Sequence, residues 1–292
     1  MTARQEVTDS PVVTRFAPSP TGHLHRGHAF AALQVARFAR ENGGRLLLRI
    51  EDIDHTRCDP AHTAQIYEDL AWLGLTWEEP VRIQSEHLAD YEAAAEKLIA
   101  DGFLYPCFCT RKDIQREIES AGRAPHQGEN QIYPGTCRRL SANEREARIQ
   151  EGVPYALRLD LEKALEAIGD DIDWVDSEFG PQKGRPDLLG DAVIVRKDIG
   201  TSYHLAAVLD DGRQGVTDVV RGVDLFESTH LHVVLQKLLG LPTPRYHHHQ
   251  LITDERGERL AKRNQSITLK SLRESGVTVD ELTREWQEPA AS

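Results

Sequence analysis

Residues 12–52 constrain the fold most. A short apolar run, residues 12–17 (VVTRFA), stops at Pro18-Ser-Pro20-Thr-Gly22, where two prolines and a glycine within five residues make a stiff exposed turn. Residues 28–42 then place Phe30, Leu33 and Phe38 on one face of a helix, with alanines between them, and Gly43-Gly44 ends it. Residues 45–52 (RLLLRIED) form a second run, apolar in the middle and charged at its exit. Strand, turn, helix and strand in this order build a β-α-β unit, whose two strands must be parallel. No G-x-G-x-x-G follows the first strand, which disfavours a dinucleotide-binding Rossmann domain.

The rest of the chain extends this start. Asp59-Pro60 is an N-cap and first-turn pair opening a helix through Ile66, Leu70 and Leu73. Residues 85–100 form another helix, stopped by Gly102. From residue 105 to about 186 the elements become short, charged and cysteine-bearing, as in an insertion. Strand-like runs return at 191–196, 202–209 and 216–220, then a helix at 230–239 and a last strand at 246–252. The expected fold is α/β, a Rossmann-like doubly wound parallel sheet with a small insertion and a short helical tail. Its parts are 11–104 (first half of the core), 105–186 (insertion), 187–250 (second half) and 251–292 (a basic loop and the tail).

No unbroken apolar run exceeds five residues, as at 29–33, far below the roughly 18 needed to span a bilayer. Glu6 and Asp9 stand where a basic, then apolar leader would lie. A cytoplasmic protein without membrane contact is therefore expected. The net charge of −12 opposes RNA binding, but it is uneven. Residues 105–151 hold eight basic and seven acidic side chains, leaving −13 for the remainder. An Arg-rich stretch on an acidic body can still contact RNA.

Four groups of residues carry chemistry. The rigid turn leads into His25-Arg26-Gly27-His28 and then a helix. A nucleoside triphosphate needs such a site: a helix N-terminus, close backbone approach at a glycine, and hydrogen-bond donors. A metal on His23, His25 and His28, or a plain exposed loop, competes with that reading. Near the end, Arg259-Leu-Ala-Lys-Arg263 follows the turn Asp254-Glu-Arg-Gly257. Alone it reads as a basic surface turn; over a triphosphate it would add cationic charge to the transition state. Cys107-x-Cys109 with Cys137 suggests metal more than disulfides, and Tyr133 and His126 compete as fourth ligand. Cys58 has no partner in that scheme. His247, His248 and His249 alternate faces if they lie on a strand, so they cannot converge on one ion.

Arg15-Phe-Ala-Pro-Ser-Pro-Thr-Gly-His-Leu-His-Arg-Gly-His28 resembles the first signature of class I glutamyl-tRNA synthetases, built around the HIGH core. The resemblance runs from about residue 12 to 267. It implies that His25, Gly27, His28 and Lys262 bind ATP, with His25, His28 and Lys262 catalytic and Lys262 lying in the counterpart of the KMSKS loop. Arg26 replaces the usual apolar second residue and is expected to point outward; Arg259 and Ala261 also depart from the KMSKS pattern.

The resemblance further places Arg15, Phe16, Ala17, Pro18, Ser19, Glu51, Tyr203 and Arg221 around glutamate. Recognition of glutamate requires arginine forks for its carboxylates and an acid for its ammonium. Arg15 and Arg221 would take the carboxylates and Glu51 the ammonium. Cys107, Cys109, Tyr133 and Cys137 match the zinc-bearing branch of the family, implying one structural Zn2+; Mg2+ is expected with ATP.

Only about 25 residues follow the match, where full glutamyl-tRNA synthetases continue into an anticodon-binding portion. This shortened form looks like the glutamyl-Q tRNA(Asp) synthetases. That family activates glutamate without tRNA and transfers it to queuosine in the anticodon loop of tRNA(Asp). A monomer is expected. The alternatives are a truncated glutamyl-tRNA synthetase charging a 3′ end and a non-catalytic RNA-binding paralogue.

Overall fold

In the computed structural model, described at residues 11–114, 132–169, 171–252, 267–284 and 286, the opening β-α-β unit forms as its pattern requires. Strand β1 (Val13–Phe16) leads through the Pro-rich turn to helix α1 (Arg26–Glu41), and β2 (Arg45–Ile50) returns parallel to β1, pairing Val13 with Arg45 through Phe16 with Leu48. Helix α2 (Pro60–Trp72) starts at Asp59, whose side chain caps the Ala61 amide, with Pro60 in the first turn. Strand β3 (Glu78–Ile83) extends the sheet in the order β1-β2-β3, and α3 (Leu88–Ala100) follows.

Between α3 and the later core lie β4 (Leu104–Cys107), α4 (Ala142–Gln150), β5 (Ala156–Leu159), α5 (Leu161–Ile168), the hairpin β6 (Trp174–Asp176) and β7 (Gly180–Gln182), and β8 (Val193–Val195). They are followed by α6 (Tyr203–Arg213), β9 (Asp218–Gly222), α7 (Phe226–Leu239), β10 (Arg245–His249), α8 (Leu269–Glu274) and α9 (Val279–Arg284). A second sheet has the order β7-β6-β10-β9, with β9, β10 and β6 parallel. It adjoins the first where Thr217, just before β9, donates its amide to the Val13 carbonyl at 2.9 Å. Strand order therefore runs outward in both directions from β1 and β9.

Helices cover both faces. Leu48 and Ile50 pack with α1, α2 and the tail helices through Ala32, Ile66, Leu70, Leu272 and Leu282. Val13 and Leu47 join Val219 and Tyr246 against Val233 of α7. Adjacent residues of β2 thus serve opposite cores, as strand alternation demands.

One expectation needs correction. Residues 202–209 do not form a strand: they belong to α6, whose N-cap Ser202 accepts the Leu205 amide. Every residue from Leu205 to Asp211 is buried, so the helix lacks the polar face that would reveal its period. Strands from either side of residue 186 pair with one another. Strand β6 pairs with β10, because buried Trp174 packs on Tyr246 and Phe226 and donates its indole N–H to His230. Strand β8 instead pairs antiparallel with β5, in the separate sheet β4-β5-β8 that carries the cysteines.

Candidate active site

Above the junction of β1 and β9 lies a cavity of about 410 Å³, within the range of small-molecule sites. It occupies the switch point where strand order reverses, outside the carboxyl ends of the parallel strands. Its lining includes Arg15 and Phe16 from β1, Ala17 just after it, the α1 cap His25 with Gly27 and His28 in its first turn, Glu51 after β2, Tyr203 at the start of α6, and Arg221 from β9. Pro18 and Ser19 are not among the lining residues. The Pro18 carbonyl accepts the Glu51 amide at 3.0 Å and ties the two strand ends together. Ser19 lines a smaller neighbouring pocket of about 80 Å³, with Glu51 and Tyr203.

The two imidazoles form a reciprocal cap. His25 Nδ1 accepts the Gly27 amide at 3.1 Å, and His28 Nδ1 accepts the His25 amide at 3.2 Å. Accepting through Nδ1 puts each neutral ring's proton on Nε2. The rings lie 3.9 Å apart at the positive end of the α1 dipole, a setting that favours anions. Arg26 turns away from the cavity but does not project into solvent; it is half-buried beside Ser275, Val277 and Leu282. Lys262 and the rest of Arg259–Arg263, like His126, lie outside the described residues. Just before that basic segment Ile252 lines the cavity, and just after it Thr268 bridges to His25.

Beneath the cavity runs an ionic network that sequence reasoning missed. Arg49, fully buried, donates to Asp211 at 2.7 Å, to Glu51 at 3.1 Å and to Gln214 at 3.0 Å. Burial opposes the Arg49 charge, but Asp211, Glu51 and Asp210 overcome it and raise its pKa. Arg15 donates Nε to Asp211 at 2.9 Å. Burial raises the Glu51 carboxyl against the pull of Arg49 and Arg15, so Glu51 gains from an arriving cation. The signal was an arginine inside RLLLRI and two aspartates inside an apolar helix.

Arg221 differs: it is 6% exposed and no carboxylate among the described residues pairs with it. It donates Nε to His248 Nε2 at 3.0 Å and NH2 to Thr229 Oγ1 at 2.6 Å and the Leu225 carbonyl at 3.0 Å, while NH1 lies 3.4 Å from His232 Nδ1. All four neighbours are neutral acceptors. Burial first, and then the Arg221 charge, push His248 down to about 4 and His232 well below its usual value. With Nε and NH2 occupied, Arg221 offers a charge and its NH1 edge, not the open fork that was expected. The alternation expected at 247–249 holds: His248 meets Arg221, His247 meets Asp218, and His249 packs on Phe30.

The cysteines meet elsewhere, at the end of β4. The Sγ atoms of Cys107, Cys109 and Cys137 all lie within 4.8 Å of one another, the 109–137 pair at 3.5 Å. Tyr133 Oη is 3.4 Å from Cys107 Sγ and 3.6 Å from Cys109 Sγ. Tetrahedral zinc with about 2.3 Å bonds to sulfur and 2.0 Å to oxygen needs about 3.8 Å between sulfurs and 3.5 Å from sulfur to oxygen. The Cys109–Cys137, Tyr133–Cys107 and Tyr133–Cys109 separations lie within about 0.3 Å of those values. The Arg158 guanidinium lies 3.9 Å over the Tyr133 ring, adding a cation beside these groups.

Comparison with known proteins agrees with this architecture. Residues 11–285 match the family of class I tRNA synthetases (E and Q), catalytic domain. A Glutamyl-Q tRNA(Asp) synthetase of Rhodobacter capsulatus is 46% identical over 94% of this chain and 99% of its own length. A Glutamate–tRNA ligase 1 of Halorhodospira halophila is 40% identical over 92% of this chain, but only 57% of that protein is covered. Among solved structures, a glutamate tRNA ligase from Elizabethkingia meningosepticum in complex with its amino acid superimposes with a TM-score of 0.73 at 30% identity. That match covers 87% of this chain and 52% of the ligase, so the chain spans about half of the larger protein. Among the described residues no helix is long and apolar enough to cross a membrane.

Proposed function

The chain belongs to the class I tRNA synthetases for E and Q, matching their catalytic domain, and we propose from that premise that it activates glutamate with ATP, without RNA, and passes it to queuosine of tRNA(Asp). In the first step a glutamate α-carboxylate oxygen attacks the α-phosphorus, the bond to the bridging oxygen breaks, and pyrophosphate leaves with that electron pair. In the second, a hydroxyl of the queuosine cyclopentenediol attacks the mixed-anhydride carbonyl, loses its proton and expels AMP.

The observation that carries the reading is the buried charge of Arg221, without a carboxylate partner among the described residues, in the same cavity lining as His25 and His28. A guanidinium out of water needs an anion. Glutamate brings two carboxylates, one for Arg221 and one for the NH1 and NH2 edge of Arg15. Glu51, its carboxyl raised by burial, receives the ammonium. His25 and His28 present Nε2 donors to the phosphates at the α1 N-terminus, and Gly27 permits close approach. Lys262 adds its charge over the leaving pyrophosphate, a role consistent with Ile252 and Thr268 standing beside the cavity. Mg2+ accompanies the ATP.

Cys107, Cys109, Tyr133 and Cys137 would hold one zinc ion. With four protein ligands no position is open, so it would brace the β4-β5-β8 unit. Relatives named as glutamyl-Q synthetases match over 83% and 99% of their own lengths, favouring queuosine as acceptor. Glutamate-dependent ATP–pyrophosphate exchange without RNA tests the first step. Transfer to tRNA(Asp) with and without queuosine tests the second; equal labelling of the two would defeat the acceptor assignment, and labelling at the 3′ end would replace it.

A further inference from the structure

We propose that Asp176 and His248 are positioning residues for the Arg221 guanidinium, and that this relay sets the preference for a substrate carboxylate over a carboxamide. The inference rests on the reading of the cavity as a glutamate site. Asp176 is 1% exposed, and both its oxygens are engaged as acceptors. Oδ1 takes the amides of Glu178 at 2.9 Å and Phe179 at 3.1 Å, and Oδ2 takes the His248 amide at 3.3 Å. His248 Nδ1 lies 2.6 Å from the same Oδ2. An ionised carboxylate can only accept, so the ring proton sits on Nδ1 and the Nε2 lone pair faces Arg221 Nε–H at 3.0 Å. One tautomer therefore holds the guanidinium in one orientation.

The spacer has a purpose. A carboxylate placed directly on Arg221 would neutralise the guanidinium and occupy donors the substrate needs. Moved back by one imidazole, Asp176 offsets only part of the charge, because Coulomb attraction falls with distance. The remaining neighbours are of the same kind. Thr229 and His232 reach in from α7, His204 stands behind His232 at 3.1 Å on α6, and the Tyr246 ring of β10 lies 5.3 Å from the guanidinium carbon. None of them carries a negative charge. A substrate carboxylate completes the ion pair, whereas a carboxamide leaves the buried cation uncompensated and can turn an N–H towards it.

The test uses the full chain in glutamate-dependent exchange, with H248L, H248Q and D176N. Leucine removes the relay. Glutamine rebuilds it, since Oε1 can accept from Arg221 while its amide donates to Asp176. Asparagine puts a donor against Nδ1 or the backbone amides and frees the tautomer. H248L and D176N should raise KM for glutamate roughly ten- to a hundredfold, leave KM for ATP unchanged, and lower discrimination against glutamine. H248Q should stay within about threefold of the parent, the scale of a small hydrogen-bond difference. An unchanged glutamate KM in H248L, equal damage in H248Q and H248L, or a parallel rise in KM for ATP overturns the relay. If H248L does not fold, D176N against H248Q decides by the same readings. No response of the unaltered chain to glutamate defeats the glutamate reading and the relay together; a normal parent rate with indifferent variants defeats the relay alone.

Discussion

Arg49, beneath the cavity, and Arg221, in its lining, are both buried arginines, yet their replacement should have opposite consequences. Arg49→Met leaves Asp211, Asp210 and Glu51 in the interior with Arg15 and Arg82 as their remaining cations. Breaking a buried ion pair from one side costs about 3–5 kcal/mol, which lowers Tm on the order of 10 °C for a chain of this size. Arg221→Met removes a buried cation that no carboxylate among the described residues contacts and that Asp176 offsets only in part, relieving a desolvation cost of several kcal/mol. Of its former acceptors, Thr229 Oγ1 and His248 Nε2 already lie 3.3 Å apart and can bond to each other. The Leu225 carbonyl keeps the intrahelical bond that opens α7, and His232 Nδ1 is the acceptor left without its donor, costing about 1–3 kcal/mol. The two effects nearly cancel, so Arg221→Met should unfold in urea within about 1 kcal/mol of the parent, or above it. Its cost appears in function. Glutamate at a hundred times its Kd should stabilise the parent by about 2.7 kcal/mol and this variant not at all. If Arg221→Met loses as much stability as Arg49→Met while glutamate still stabilises it, the view of Arg221 as a charge waiting for its anion is wrong.

Cys107→Ser should lose a full equivalent of zinc by elemental analysis, while Tyr133→Phe keeps three thiolates and gives up metal faster to a chelator. His25→Ala and His28→Ala should each slow pyrophosphate exchange by roughly a hundred- to a thousandfold. His25→Ala should also cost about 1 kcal/mol of stability, because it removes the α1 cap. Stability should fall with acid between pH 6.5 and 4: His248 is neutral when folded and drops to about 4, so the unfolded chain binds the proton first. That imidazole contributes roughly 3 kcal/mol, present above pH 6.5 and lost as pH approaches 4, and H248Q should flatten this part of the urea-midpoint profile.

The parts of the fold legible in the sequence were those whose signal is local. The stiff turn at Pro18–Gly22, the Asp59-Pro60 start of α2 and the double glycine after α1 act within a few residues, and each appears where its chemistry requires. Cys107, Cys109 and Cys137 could be grouped from their spacing, whereas Tyr133 was added by the family resemblance. Residues 202–209 misled because a helix buried on all sides has no polar stripe, and three residues of β6 are too few to show alternation.

The site divides along the same line. Nine of the residues placed around ATP and glutamate line one cavity, since strand ends and helix starts converge where strand order reverses. What the sequence could not display is the support beneath them. Asp211 meets Arg15 across 196 positions, and Asp176 meets His248 across 72. No spacing rule connects such pairs. A weaker sign was nevertheless present, for Arg49, Asp176 and the Asp210-Asp211 pair are charges set among apolar residues in regular elements. A charge retained there at the cost of desolvation must have a partner, either within the chain or in its ligand. Arg49 finds its carboxylates within the protein, whereas Arg221 meets only neutral acceptors among the described residues, and on the proposed reading that difference assigns the substrate carboxylate to Arg221.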